Sequence, residues 1–99
     1  MSSETMENLA TLCQRLGFNL DSNWKGLDAV WPMVELIRGD GGVVVIKVDG
    51  QRTSEEDNGA YTVVISGGGL KGDYVSTERS SLEDCLEHCI REYVVRCWL

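Results

Sequence analysis

The sequence predicts a two-layer α+β domain with element order α-α-β-β-β-α, a three-stranded antiparallel sheet packed against helices. Three observations lead there. Apolar residues recur at three- and four-residue spacing in two stretches before residue 40 and one after residue 80, which is the period of a helix with one buried face. Between them lie three short runs rich in β-branched and aromatic residues, the composition of strands. A short glycine-rich connection joins the last two runs, so these strands are expected to be antiparallel neighbours. Helices gathered on one sheet face then make the two layers.

Met6, Leu9, Leu12, Cys13 and Leu16 form the first stripe and predict a helix over Thr5–Leu16. Glu4 and Glu7 stand in its expected first turn and Arg15 in its last, as the helix dipole favours. Gly17 follows as the expected left-handed cap. Residues 19–26 read as a loop, with Trp24 plugging the edge of the core or stacking on a ligand. Leu27, Val30, Trp31, Val34 and Ile37 form the second stripe. The expected helix is Asp28–Arg38, with Asp28 as its cap and Pro32 in or near the first turn, where a missing N–H costs least. Residues 39–42 turn the chain.

Val43–Val48 reads as the first strand, Tyr61–Ser66 as the second and Asp73–Glu78 as the third. In the third, Tyr74, Ser76 and Glu78 alternate with Val75 and Thr77, which suits one wet face. Residues 53–59 make a polar, acidic connection. Ser80 and Glu83 have the spacing of a capping box and open the last helix. Leu82, Cys85, Leu86, Cys89, Ile90, Tyr93 and Cys97 then mark its buried face, to an expected end near Arg96.

Composition narrows function. Ninety-nine residues, 42% apolar and 25% charged, fit one globular domain with a modest core. No apolar run approaches the roughly 18 residues that span a bilayer, and the polar, acidic start lacks the pattern of a signal peptide. Cytoplasmic location and no membrane partner are the expectations. The net charge is −7, and nine basic residues are scattered along the chain. Direct nucleic-acid binding, which needs clustered Lys and Arg, is not expected.

The residues that carry chemistry elsewhere have a structural explanation here. Cys85 and Cys89 share the stripe of Leu82, Leu86 and Tyr93, and with Cys13 they read as core thiols, not as metal ligands or a disulfide set. His88, the only histidine, lies off that stripe and reads as a solvated side chain. Residues 66–72 have the flavour of a phosphate loop, but Lys71 precedes Gly72 and a strand follows where a helix is required. Those glycines read as turn geometry. Glu55, Glu56 and Asp57 lack the ligand spacing of a calcium loop. No catalytic residue, metal or cofactor is assigned.

Strands one and two have no fully polar face: Val43, Val45 and Lys47 alternate with Val44, Ile46 and Val48, and Tyr61, Val63 and Ile65 with Thr62, Val64 and Ser66. A sheet apolar on both sides needs cover on both sides, from helices on opposite faces or from a second subunit. The expectation is a homodimer through a sheet face, with Tyr61, Val63, Val64 and Ile65 as interface residues.

Residues 43–52, the run Tyr61-Thr62-Val63-Val64-Ile65-Ser66-Gly67, and residues 81–93 with Leu82, Leu86 and Tyr93 together give the chain a likeness to known proteins. It resembles the small α+β proteins carried by integron gene cassettes and other mobile elements. The resemblance covers about the last 60 residues. It implies a compact dimer, in some members with a ligand pocket, and carries over no catalytic residue.

The function expected is a non-enzymatic binding or interaction module. Two alternatives stand beside it. One is a small-ligand protein or enzyme with a pocket at the helix–sheet edge near Trp24, Trp31, Asp49 and Arg52. The other is an acidic inhibitor of a nucleic-acid-binding protein, which the net charge alone motivates.

Overall fold

The computed structural model describes residues 7–51 and 59–99. It has the predicted α+β order: α1 Leu9–Arg15, α2 Leu27–Gly39, β1 Gly42–Val48, β2 Tyr61–Gly67, β3 Tyr74–Arg79 and α3 Leu82–Tyr93. A 3-10 turn, Gly68–Leu70, joins β2 to β3, and a π-helical turn, Val94–Trp98, extends α3. The sheet is an antiparallel meander in the order β1-β2-β3.

Side-chain parity sets the layers. The registers place Val44, Ile65 and Val75 in one row and Ile46, Val63 and Thr77 in the next. These rows face the helices, where Val63 and Ile65 lose all exposure beside Ile37, Leu86, Cys89 and Ile90. α3 lies over β2 and β3, α2 lies over β1, and α1 packs on α3. Leu9, Leu12, Cys13, Val30 and Met33 complete the core.

The helix starts differ from expectation, for tertiary reasons. α1 begins at Leu9 because the Asn8 side chain accepts from the Thr11 N–H at 2.9 Å, and Glu87 of α3 accepts from the Leu9 N–H at 2.7 Å. Glu7 therefore stands ahead of the helix, where it pairs with Arg15 at 2.6 Å; the residues expected before it lie outside the described ones. α2 starts one residue early. Gly26 takes its cap position at φ 82° with no side-chain bond, and Glu83 accepts the Gly26 N–H at 2.9 Å. Asp28 is thus an exposed first-turn residue rather than the cap. Pro32 falls in the second turn, on the exposed side. There it removes a bond to the Asp28 carbonyl that a first-turn proline would not have made. α3 is capped by Ser81, not Ser80, since the Ser81 hydroxyl accepts from the Asp84 N–H at 3.3 Å.

The glycine-rich turn has a packing role. A Cβ on Gly69 would stand 2.8 Å from the Cys97 sulfur, and one on Gly68 would overlap the Tyr93 hydroxyl. The missing side chains let the C-terminal turn lie against residues 68–70. That contact is fixed by the Asp40 carboxylate, which accepts from the Tyr93 hydroxyl at 2.9 Å and from Trp98 Nε1 at 2.8 Å. The Tyr93 oxygen in turn accepts the Gly69 N–H at 3.3 Å.

Candidate interaction surface

α2 and α3 pack on one face of the sheet and α1 lies behind α3, so among the described residues the other face is bare. It carries Val43, Val45 and Lys47 from β1, Thr62, Val64 and Ser66 from β2, and Tyr74, Ser76 and Glu78 from β3. Val43 is 54% exposed, Val45 50% and Tyr74 61%, values at which a side chain has nothing packed over it. Val64 between them is half-buried by its neighbours.

Of the four expected interface residues, only Val64 stands on this open face. Val63 and Ile65 point into the core and Tyr61 is half-buried on the helix side. The cause is the two-residue period of a strand: within one strand, alternate residues cannot share a face. Composition made both faces of β2 look available, and α3 covers the one that holds Val63 and Ile65. Val43, Val45 and Tyr74 supply the apolar exposure instead.

The edge of β1 is open as well. The Asp49 N–H donates to the Ala60 carbonyl at 2.8 Å. Asp49 and Ala60 extend the β1–β2 register by one pair. Bonded and non-bonded pairs alternate in an antiparallel ladder, so Val43, Val45 and Lys47 exchange bonds with β2. Val44 and Ile46 aim their N–H and C=O groups the other way, and no strand among the described residues pairs there. Beside this edge runs a groove of about 320 Å³ lined by Trp31, Val34, Glu35, Arg38, Gly42, Val43 and Val44. Trp31 is 46% exposed at its rim. Arg38 and Glu35 pair across its wall at 2.9 Å.

The residues expected to form a ligand pocket are not brought together. Trp31 lines the β1 groove, whereas Trp24 lines a separate, polar depression with Asn8, Glu83, Asp84 and Glu87. There Trp24 Nε1 donates to Glu87 at 3.4 Å, which ties the loop to α3. Asp49 sits at the end of β1, accepting from the Gln51 N–H at 3.0 Å and facing Lys47 at 3.9 Å. Arg52 and the acidic residues 55–57 lie outside the described residues.

The thiols are placed as core groups. Cys13, Cys85 and Cys89 have no exposure. Cys85 Sγ donates to the Tyr61 carbonyl at 3.3 Å and Cys89 Sγ to the Val63 carbonyl at 3.5 Å. Burial pushes all three upward, Cys89 to about 12, which disfavours the nucleophilic thiolate. Cys97 is half-buried against Gly69. His88 is half-buried in a polar cleft with Asp73, Tyr74, Ser76, Glu92 and Arg96, and desolvation pulls its pKa down.

Two features had no sequence signal. Glu83 reads as the capping-box partner of Ser80 and Glu87 as a solvated helix residue, yet they bond backbone 57 and 78 positions away. Asp40 reads as a turn residue, yet it anchors the C-terminal turn. Among the described residues no cluster of His, Cys, Asp and Glu is arranged to hold a metal, and no helix is long and apolar enough to cross a membrane. Comparison with known proteins finds no family model, no curated protein and no solved structure that matches this chain.

Proposed function

We propose that this chain is a non-enzymatic interaction module that associates with a second copy of itself through its sheet. The observation that carries the reading is the one-sided placement of the helices. They leave Val43, Val45 and Tyr74 exposed on a face that nothing else among the described residues covers. Removing such residues from water is worth on the order of 1.5–3 kcal/mol for each side chain fully covered. The reactive side chains lend an enzyme little support, since three thiols are core groups with raised pKa values. Cytoplasmic location belongs to the same proposal, and the free state of all four cysteines favours it. The origin among mobile-element proteins that the resemblance implies is part of the proposal as well.

Light scattering is expected to give about twice the 11.0 kDa chain mass. Val45 is exposed on the bare face and belongs to the strand at the open edge. Val45→Lys is therefore expected to give a folded monomer with an unchanged circular dichroism spectrum. A wild-type chain that stays monomeric at millimolar concentration would overturn the proposal.

A further inference from the structure

We propose that β1 pairs antiparallel with β1 of a second copy, joining two three-stranded sheets into one of six strands with Trp31 of each copy over the seam. This rests on the homotypic reading above and moves the contact from the open face to its β1 edge, where Val43 and Val45 gain cover and Tyr74 does not.

The two edges of the sheet are not equivalent. β3 carries Glu78 and Arg79 within six residues and begins beside Asp73. Charges of this kind discourage strand addition. β1 is seven residues, Gly-Val-Val-Val-Ile-Lys-Val, with Lys47 as its single charge. It has neither proline nor bulge, and its seven residues pair with β2 without interruption. Such an edge is a template for another strand.

The occupant follows from symmetry, charge and size. Edge groups belong to even-numbered residues, so bonded pairs across a two-fold seam must join even to even. The register centred on Val45 does this, with Val44 against Ile46 and Val45 against its own copy. It overlaps the whole strand, Gly42 against Val48, and sets Lys47 beside Val43, away from the second Lys47. Like charges directly opposite would have been destabilising. β1 runs back along α2 after the tight turn at residues 40–41. Seven residues of helix rise about 10.5 Å and three of strand about 10 Å. Trp31 therefore lies level with roughly the middle of β1, where a two-fold brings both indoles to the seam.

Charge points the same way. The chain carries −7 overall, but among the described residues the charges lining the groove beside β1 are the Glu35–Arg38 pair. A basic peptide has no excess negative charge to meet there, while a second copy meets a neutral window. Face-to-face stacking is the competing arrangement. It covers Val43, Val45 and Tyr74 but leaves the outward backbone groups of Val44 and Ile46 and the exposed Trp31 in water. Edge pairing adds the groove, Trp31 and the backbone bonds to the apolar strip of Val43 and Val45.

Two variants and one measurement on the unmodified chain separate these cases. Val44→Pro removes an N–H that faces the open edge and makes no bond inside the sheet, a position where edge strands accept proline. It is expected to be a monomer by sedimentation, with its circular dichroism spectrum retained. Val64→Lys places a charge at the centre of the bare face, away from the seam, and is expected to remain a dimer. In the unmodified chain the amides of Val44 and Ile46 are expected to exchange at least tenfold more slowly at dimer-forming concentration than on dilution. That readout does not depend on either variant folding. A monomeric Val64→Lys together with a dimeric Val44→Pro overturns edge pairing and leaves association through the sheet face standing. Fast exchange at Val44 and Ile46 in the dimer overturns edge pairing in the same way. A strictly monomeric wild type overturns both.

Discussion

Cys89 shows how a side chain with ordinary chemistry becomes a structural one. Its sulfur has no exposure and donates to the Val63 carbonyl, a strand group that already belongs to the sheet. Desolvation raises its pKa from 9.0 to about 12, helped by the neighbouring Cys85. The sign of the linkage follows. In the unfolded chain the thiol loses its proton near pH 9, whereas the folded chain keeps it until about 12. Its contribution is thus fully present below pH 9 and is lost as pH rises through that window. Cys13 and Cys85 act in the same direction. So does Tyr93, which burial, more than its bond to Asp40, pushes up to about 12. Urea unfolding is expected to show constant stability from pH 7 to 8.5 and a loss of about 2–4 kcal/mol by pH 11. Cys89→Ala is expected to begin less stable at neutral pH, through its cavity, and to lose less on the alkaline limb. An alkaline limb of unchanged depth in that variant would show that Cys89 is not the source.

Among the elements, α1 depends most on bonds that its own sequence does not encode. It has seven residues, below the length at which an isolated helix holds together in water, and its start is set by α3. Glu87 accepts the Leu9 N–H with one carboxylate oxygen and Trp24 Nε1 with the other. One side chain therefore closes both α1 and the loop after it onto α3. Glu87→Ala is expected to cost about 1–3 kcal/mol through the orphaned Leu9 N–H, which lowers the melting temperature by roughly 5–15 °C for a domain of this size. A shift in Trp24 fluorescence is expected with it, and an unchanged melting temperature would remove Glu87 from this role. The strands and the core face of α3 were legible in the sequence because period and composition are local. The helix starts were not. The start of α2 at Gly26 depends on Glu83 and the start of α1 at Leu9 on Glu87, each of which finds a backbone N–H far away in the chain. The face of β2 was likewise illegible from its own residues, since Val63 and Val64 differ only in which side α3 approaches. The interface expectation therefore mixed side chains from both faces of β2, and the bare face became visible only from the register.

For the molecule as a whole, charge and interface make opposite demands. Two copies of a −7 chain repel at long range, yet the proposed seam lies where Arg38 is paired with Glu35 and Lys47 with Asp49, so local charge is balanced. Attraction at such a seam comes from apolar cover and backbone bonds, which salt leaves largely intact. The repulsion is between exposed charges, and the Debye length shortens from about 30 Å at 0.01 M salt to about 10 Å at 0.1 M. Added salt is therefore expected to strengthen self-association, with the dimer dissociation constant falling roughly three- to tenfold across that range. The acidic-inhibitor alternative predicts the reverse dependence for its own complex. Its partner would be held by opposite charges, so salt would weaken capture. Sedimentation equilibrium in a sodium chloride series gives the first sign directly. A dissociation constant that rises with salt would place opposite charges across the dimer contact and rule out a seam at β1, where the structure provides none to spare.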